Sequence, residues 1–359
     1  MKVIYFLSDY KIGLSNLLLE QAINFKQLKD IEFTYISGEG EQISGLNKKA
    51  KYNNIFINRI NGLDFHKVFY SLTKEFHNLI KLIKPEYVHV QNNWQLAIVT
   101  FVKYFFLKKF KIIYTIHAYR HNYPIRSFIT RIIISLALLF IVNKVVVASS
   151  FIKRKFNLLN YKTYIIYLGV ENSFFEKIHT VINSHDINIV FAGQFREGKN
   201  QKLIIRSFKN ATELNNANLK LYLAGDGPLL NSCKKLAFEL GLEKQVIFTG
   251  NLNRAEVLNL YQKCNIAIVA TNIETFGHCI AEPYVLGLCT ISRRTGIAED
   301  IIANGVNGFL FDNDKELLTL LPEIIKSKEK IIKTGETAFA NRDELRWSNI
   351  VEKYNAVYS

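Results

Sequence analysis

From Lys2 onward, short apolar runs rich in Val and Ile alternate with longer segments of helical period. That alternation admits little besides a parallel sheet flanked by helices. In the first half, strands are expected at Lys2–Leu7, Ile31–Ile36, Tyr87–Val90, Lys111–Ile116, Lys144–Ala148 and Thr163–Tyr167, with helical patterns over 14–29, 65–83, 94–109 and 125–141. In the second half, strands are expected at Asn188–Ala192, Lys220–Ala224, Val246–Thr249, Ile266–Ala270 and Cys289–Ser292, with helices over 200–214, 228–240, 253–262, 296–303 and 314–327. A run such as Ile266-Ala-Ile-Val-Ala270 is apolar at every position, as a strand buried on both faces requires. A chain of 359 residues is too long for one ordinary core. The polar stretch Gly169–His185 lacks periodicity and divides it, with the linker placed at 171–185. No internal repeat is visible, so two Rossmann-like domains are expected rather than a solenoid.

Composition narrows the partners. Residues 1–180 hold 25 Lys and Arg against 11 Asp and Glu, net +14, whereas residues 181–359 hold 21 against 20. Nearly all of the overall +15 therefore belongs to the first half. Such a half suits an anionic membrane surface, an acidic substrate or nucleic acid. No helix-turn-helix, zinc-finger or RNP-type pattern accompanies it, which argues against nucleic acid. Cys233, Cys264, Cys279 and Cys289 form no C-x-x-C pair and fit a reducing compartment, three of them as small core residues. Met1–Leu7 reads as a first strand rather than a signal peptide. The longest apolar run, Ile132–Val142, is eleven residues and too short to span a bilayer.

One stretch points to chemistry: Glu274-Thr-Phe-Gly-His-Cys-Ile-Ala-Glu282. It lies between the apolar run ending at Ala270 and a short helical pattern that stops at Gly287. The turn is thus a strand-to-helix crossing at the carboxyl edge of a sheet, where open α/β folds hold ligands and a helix start offers N–H groups to an anion. A phosphate at that start, with hydroxyls bound along the helix by Glu282, outlines a nucleotide-sugar site.

Two glutamates separated by seven residues, with Phe276-Gly277 after the first, resemble the E-x7-E signature of retaining GT-B glycosyltransferases of family four. Five further stretches match in family order: Gly193–Lys199, Leu223–Pro228, Val246–Gly250, Gly296–Ile302 and Asn304–Leu310. The resemblance is strong from about Val190 to Phe311 and weaker before it. It implies a GT-B architecture, two Rossmann-like domains facing across a cleft. Residues 1–170, with a terminal helix of 343–359 crossing back, would bind the acceptor, and 186–342 would bind the nucleotide-sugar.

The departing diphosphate of a sugar donor needs preorganised positive charge. Arg196 and Lys199 lie on a loop just after a strand, and by the resemblance they match the pair that grips the diphosphate. Many relatives carry Arg directly after the glycine, where this chain has Gln194, so the role falls on Arg196 or on that position. A solvated basic loop is the alternative. By the resemblance Glu274 faces the sugar and phosphates, and Glu282 accepts from ribose hydroxyls, as an ionised carboxylate can. Phe276, Gly277, His278, Gly250 and Asn251 join the donor-binding set. Gly13 matches a glycine-rich loop that approaches the diphosphate, with Ile12 where relatives have a second glycine. His117, at the end of Tyr114-Thr-Ile-His117, would contact the donor sugar as a positioning group, or is a satisfied strand-end histidine.

Three patterns count against other chemistries. Gly38-Glu-Gly40 and Gly225-Asp-Gly227 leave G-x-G-x-x-G incomplete, so a redox dinucleotide is unsupported. Glu274, His278 and Glu282 share a spacing of four, but Glu274 precedes the helix, so no metal is expected. Asp312-Asn-Asp314 resembles a metal-binding D-x-D, yet Asp314 stands where a helix cap belongs. The expectation is a cytosolic, metal-independent glycosyltransferase without cofactor. It would move a sugar, UDP-linked by preference, to a glycan or lipid-linked acceptor of capsule, O-antigen or exopolysaccharide synthesis at the inner membrane face. The alternatives are a GT-B epimerase or phosphorylase, or a basic membrane-binding module without turnover. Between residues 101 and 155, Lys103, Lys108, Lys109, Lys111, Arg120, Arg126, Arg131, Lys144, Lys153, Arg154 and Lys155 interleave with Phe101, Tyr104, Phe105, Phe106, Phe110 and Phe128. That pattern suits the headgroup layer, or else core aromatics with lysines at the rim.

Overall fold

The computed structural model describes residues 2–6, 32–37, 56–59, 65–91, 93–117, 136–155, 162–176, 186–214 and 218–359. The helical pattern at 14–29 and the site residue Gly13 lie outside them. The chain forms two compact units: Met1–Ala148 with Lys153–Ile166 and Trp347–Ser359, and Ser149–Ile152 with Tyr167–Arg346.

The first unit holds a seven-stranded sheet of β1 (Lys2–Phe6), β2 (Glu32–Ser37), β3 (Phe56–Arg59), β4 (Tyr87–Val90), β5 (Lys111–Ile116), β6 (Lys144–Val147) and β7 (Thr163–Ile165). Their order is β3-β2-β1-β4-β5-β6-β7, parallel throughout, with Tyr87 against Lys111 and Ile113 against Lys144. Every residue of β4 is buried, as are the last five of β5, which is why both read as unbroken apolar runs. Helix Phe65–Ile83 packs on helix Asn93–Phe105. The terminal helix Trp347–Lys353 belongs to this unit, with Trp347 and Tyr354 buried. Beyond it Tyr358 Oη sits 2.7 Å from His89 Nδ1, Tyr87 Oη donates to the Ser359 carbonyl, and Lys144 Nζ donates to the Ala356 carbonyl. These bonds hold the last residues against β4 and the start of β6.

The second unit holds β8 (Asp186–Ala192), β9 (Asn218–Ala224), β10 (Val246–Gly250), β11 (Ile266–Val269), β12 (Cys289–Arg293) and β13 (Phe309–Phe311). Their order, β10-β9-β8-β11-β12-β13, is again parallel and reverses direction between β8 and β11. Ile268 and Ile291, paired across β11 and β12, are fully buried, each stabilising the fold by about 1.5–3 kcal/mol. Helix Arg254–Tyr261 starts at a capping box of Asn253 and Glu256. Helix Asp314–Ile325 is capped by Asn313, whose side chain accepts from the Glu316 N–H, and not by Asp314. Helix Lys328–Ala340 lies against the turn after helix His278–Val285, where a Cβ on Gly335 would stand 2.2 Å from the Gly287 carbonyl oxygen.

Two segments assigned by sequence to the first domain cluster with the second unit. Ser149 Oγ donates to the Thr275 carbonyl at 2.7 Å, and Ser150 N–H donates to Asp300 Oδ2 at 2.9 Å. Val170 pairs with Arg346.

Candidate active site

The candidate residues of the second unit lie at the carboxyl ends of β8 and β11, the strands between which the sheet order reverses. At such a point the loops after the two strands diverge to opposite faces and leave a crevice between them. The loop after β8 carries Gln194, Arg196 and Lys199, and the loop after β11 carries Glu274, Phe276 and Gly277. Two hydrogen bonds join them: the Asn272 N–H donates to the Gly198 carbonyl, and the Asn200 side-chain Nδ2 donates to the Ala270 carbonyl.

Lys199 Nζ forms an ion pair with Glu274 Oε1, with 11% and 14% of the two side chains exposed. The Glu274 N–H donates to Thr295 Oγ1 at 2.8 Å, and the Cys279 thiol lies 3.6 Å from the same Glu274 oxygen. Burial, reinforced by Glu274, pushes the Cys279 thiol far up, so it stays neutral. Lys199 is therefore not a solvated loop cation; it is held beside its acid partner. Arg196 is exposed, donating to the neighbouring Glu197 carbonyl at 3.4 Å. Gln194 is also exposed, and its carbonyl accepts from Gln201 Nε2.

Helix His278–Val285 begins at Gly277, whose φ of 98° is left-handed, a conformation that favours glycine. Among the described residues no side chain caps this helix, so none competes for its first N–H groups. Phe276, expected to touch the donor, is buried with its ring 5.0 Å from that of His278, and its carbonyl accepts from the Ile297 N–H. It shapes the loop rather than presenting a face. Gly250 likewise contributes through its backbone, its carbonyl accepting from the Gly225 N–H at 2.8 Å, while Asn251 is exposed.

Glu282 is buried on that helix, one turn past His278, where burial pushes its carboxyl pKa up and Arg254 opposes the shift. Arg254 Nη1 donates to Glu282 Oε1 at 2.7 Å, while its Nε lies 3.3 Å from Glu171 Oε2. The guanidinium lies 4.9 Å over the Phe174 ring. His278 Nδ1 is 3.6 Å from the same Glu282 oxygen, and burial, with Arg254, lowers its pKa to about 4. Arg254 is absent from the expected site. Its signal was a cation in the first turn of a helix, opposed by the helix dipole unless an anion holds it.

His117 follows β5 in the first unit, with Nε2 2.5 Å from Gln91 Oε1 and a pKa lowered by burial to about 4. Held down in this way the ring is neutral, and a neutral ring suits positioning rather than charge stabilisation. Asp312 and Asp314, the D-x-D pair, are each engaged by an arginine, Arg294 at 3.0 Å and Arg293 respectively. Among the described residues no group of three or more His, Cys, Asp or Glu could hold a metal ion.

Residues 173–340 match the family model described as glycosyl transferases group 1. An uncharacterized glycosyltransferase of Bacillus subtilis is 26% identical over 211 residues, 58% of this chain and 57% of that protein. The N-acetyl-alpha-D-glucosaminyl L-malate synthase of Bacillus anthracis is 25% identical over 174 residues, 47% of this chain and 44% of that one. The chain thus spans about half the length of these curated relatives. Among solved structures, a glycosyltransferase from Rickettsia africae superposes with a TM-score of 0.78 at 18% identity, covering 99% of this chain and 97% of the other. HepE of Anabaena, crystallised with UDP and glucose, gives 0.77 at 16%, covering 100% and 99%. The whole chain has the GT-B fold of two Rossmann-like units, and the segment around Lys199, Glu274 and Glu282 is similar to the group 1 glycosyl transferases.

Proposed function

We propose that the protein is a metal-independent, retaining glycosyltransferase that takes a nucleotide-sugar, UDP-linked by preference, and glycosylates a membrane-associated glycan acceptor. The observation that carries this reading is the Lys199–Glu274 pair at the strand-order reversal, beside a helix start that no side chain caps. A buried cation and free N–H groups match a diphosphate, and a buried carboxylate eight residues on matches ribose hydroxyls. The fold shared with a protein crystallised with UDP and glucose agrees with that donor.

In this scheme the bond from the sugar's anomeric carbon to the phosphate oxygen breaks as the acceptor oxygen bonds to the same face. The acceptor's proton passes to the departing phosphate oxygen, and the nucleoside diphosphate leaves. Lys199 and Arg196 stabilise the charge that develops there, which is commonly the largest contribution to such catalysis. Glu274 orients Lys199 and faces the sugar. By the family resemblance, His117 is assigned to the donor sugar as a positioning group and Gly13 to the diphosphate.

The acceptor class rests on the first unit's surface. Phe101, Tyr104, Phe105 and Leu107 are exposed, the last two by 69% and 86%, among Lys103, Lys108 and Lys109. Phe101 and Phe105 stack at 4.9 Å. Phe110, expected in this exposed set, is instead buried, with Lys103 Nζ 5.7 Å above its ring. Arg120, Arg126, Phe128 and Arg131 lie outside the described residues. Exposed aromatics among lysines suit the headgroup layer of an anionic membrane, and this supports the reading of a peripheral enzyme on the cytoplasmic face. Among the described residues no helix is long and apolar enough to cross a membrane.

Incubating the pure protein with a panel of UDP-, GDP- and ADP-sugars, with and without a polyprenyl-diphosphate glycan, tests the reading. Acceptor-dependent release of nucleoside diphosphate with an α-linked product from an α-linked donor is expected. Free epimerised sugar or phosphorolysis would assign the site to an epimerase or phosphorylase, and no turnover with vesicle binding intact would leave only a membrane-binding module.

A further inference from the structure

Arg254 has no place in the scheme so far, yet it makes the tightest polar contact to the acid assigned to the ribose. Its guanidinium is fixed from three sides, by Glu282 Oε1 at 2.7 Å, Glu171 Oε2 at 3.3 Å and the Phe174 ring at 4.9 Å. It stands in the first turn of helix Arg254–Tyr261, whose start is pinned by the Asn253–Glu256 capping box. A clamp built from three segments is more than a chance surface pair. Glu282 itself retains only 4% of its side-chain surface, whereas Arg254 retains 53%. The arginine is thus the exposed member of the pair and the carboxylate the buried one.

A carboxylate has roughly four acceptor directions on its two oxygens. Arg254 occupies one of them on Oε1, which leaves the others to vicinal hydroxyls. We infer that Arg254 is a positioning residue for Glu282, fixing the carboxylate so that it accepts from the 2′- and 3′-hydroxyls of the donor and thereby selects ribonucleotides over 2′-deoxyribonucleotides. This rests on the proposed nucleotide-sugar site and adds to it the residue that sets its sugar preference.

The groups facing Glu282 decide how its titration reads. His278 and Cys279 come from its own helix, Arg254 and Tyr261 from the helix before it, and Glu171 from the segment preceding β8. Burial pushes Tyr261 and Cys279 up, so both stay neutral between pH 6 and 8. Burial raises Glu282, and Arg254 is the main influence opposing it, so removing Arg254 moves the carboxyl further up. His278 is held down in part by Arg254 and would rise in the same variant, which calls for a background lacking it.

The test is calorimetric titration of the full chain with UDP, GDP and ADP and their 2′-deoxy forms from pH 6 to 8. It compares wild type, Arg254→Lys, Arg254→Gln and Arg254→Gln/His278→Gln. Wild type should prefer the ribonucleotide by about 10- to 100-fold, the value of a hydrogen bond to a charged group. In both Gln variants the preference should fall several-fold, most at the acid end of the range because the carboxyl moves further up, while Arg254→Lys keeps most of it. A Gln variant with the wild-type preference at every pH overturns the inference, as does tighter binding of both forms, which would make Arg254 a competitor for the ribose subsite. If wild type binds none of the three nucleotides, the nucleotide-sugar reading itself fails, and this inference with it.

Discussion

Replacing Lys199 by methionine keeps most of the side chain's length and apolar stem but strips its charge from Glu274. Removing one member of a fully buried ion pair costs about 3–5 kcal/mol, because the other charge is left without a partner. Here 11% and 14% of the side chains reach solvent, and Glu274 keeps the polar surroundings of its own turn. Partial hydration brings the expected cost to roughly 2–3 kcal/mol. For a unit of this size that lowers Tm by about 4–12 °C. Differential scanning calorimetry reads it, with the second unit's transition followed separately, since a two-unit chain need not unfold in one step. Lys199→Met/Glu274→Gln removes both charges and should recover most of the lost stability while remaining inactive. Arg196→Ala, at an exposed position, should leave Tm within about 1 °C. A Lys199→Met transition within 1 °C of wild type would refute the buried pair, and with it the view that the diphosphate cation is stored against Glu274.

Arg196→Ala should nonetheless lower turnover by about one to three decades, as loss of one charge-stabilising donor does; steady-state rates at saturating donor check it. Glu282→Gln should weaken nucleoside diphosphate binding, whereas Glu274→Gln should chiefly lower turnover, and titration of both variants with UDP and GDP would show the reverse pattern if the roles are exchanged. Burial lowers the pKa of His89 well below its ordinary value and that of His117 to about 4, so the unfolded chain binds protons there that the folded one does not. Stability is then complete above pH ~6.5 and falls as pH drops below it, by about 1.4 kcal/mol per histidine between pH 7.5 and 5.5. Urea midpoints across that range measure the loss, and a flat profile would contradict neutral burial of both rings. Cosedimentation with anionic vesicles should occur at low salt and be lost near 0.3 M salt, where the Debye length is about 5–6 Å; Lys103→Glu/Lys108→Glu/Lys109→Glu should abolish it with nucleotide affinity intact.

Much of the fold was legible because strands buried on both faces have to be apolar throughout. β4 and β5 fall where their runs of Val, Ile and Tyr place them, and β11 differs by one residue. Edge strands carry no such constraint. Phe56-Ile-Asn-Arg59 forms β3 through its pairing with Thr34–Ser37, and Phe309–Phe311 forms β13 beside β12, both too short or too polar to stand out. Helix Lys328–Ala340 was missed because Gly335 and two threonines weaken its helical signal. In the site, the E-x7-E spacing was readable, and the neighbours of each glutamate were not. Lys199 lies 75 positions before Glu274 and Arg254 lies 28 before Glu282, so only the folded sheet shows which cation meets which acid.

The close approach of Gly335 to the Gly287 carbonyl has a consequence for engineering. The loop and helix from Thr271 to Gly287 look like a portable cassette, a single strand-turn-helix that could be exchanged between scaffolds to change donor preference. They are not self-contained, since the backbone of a helix nearly fifty positions later touches the end of the cassette with no room for even a methyl group. A chimera joined after β13 would import a foreign residue at that position, and unless it is glycine the transplanted helix would be pushed off the sheet that aims it. The smallest exchangeable module therefore runs through Ala340.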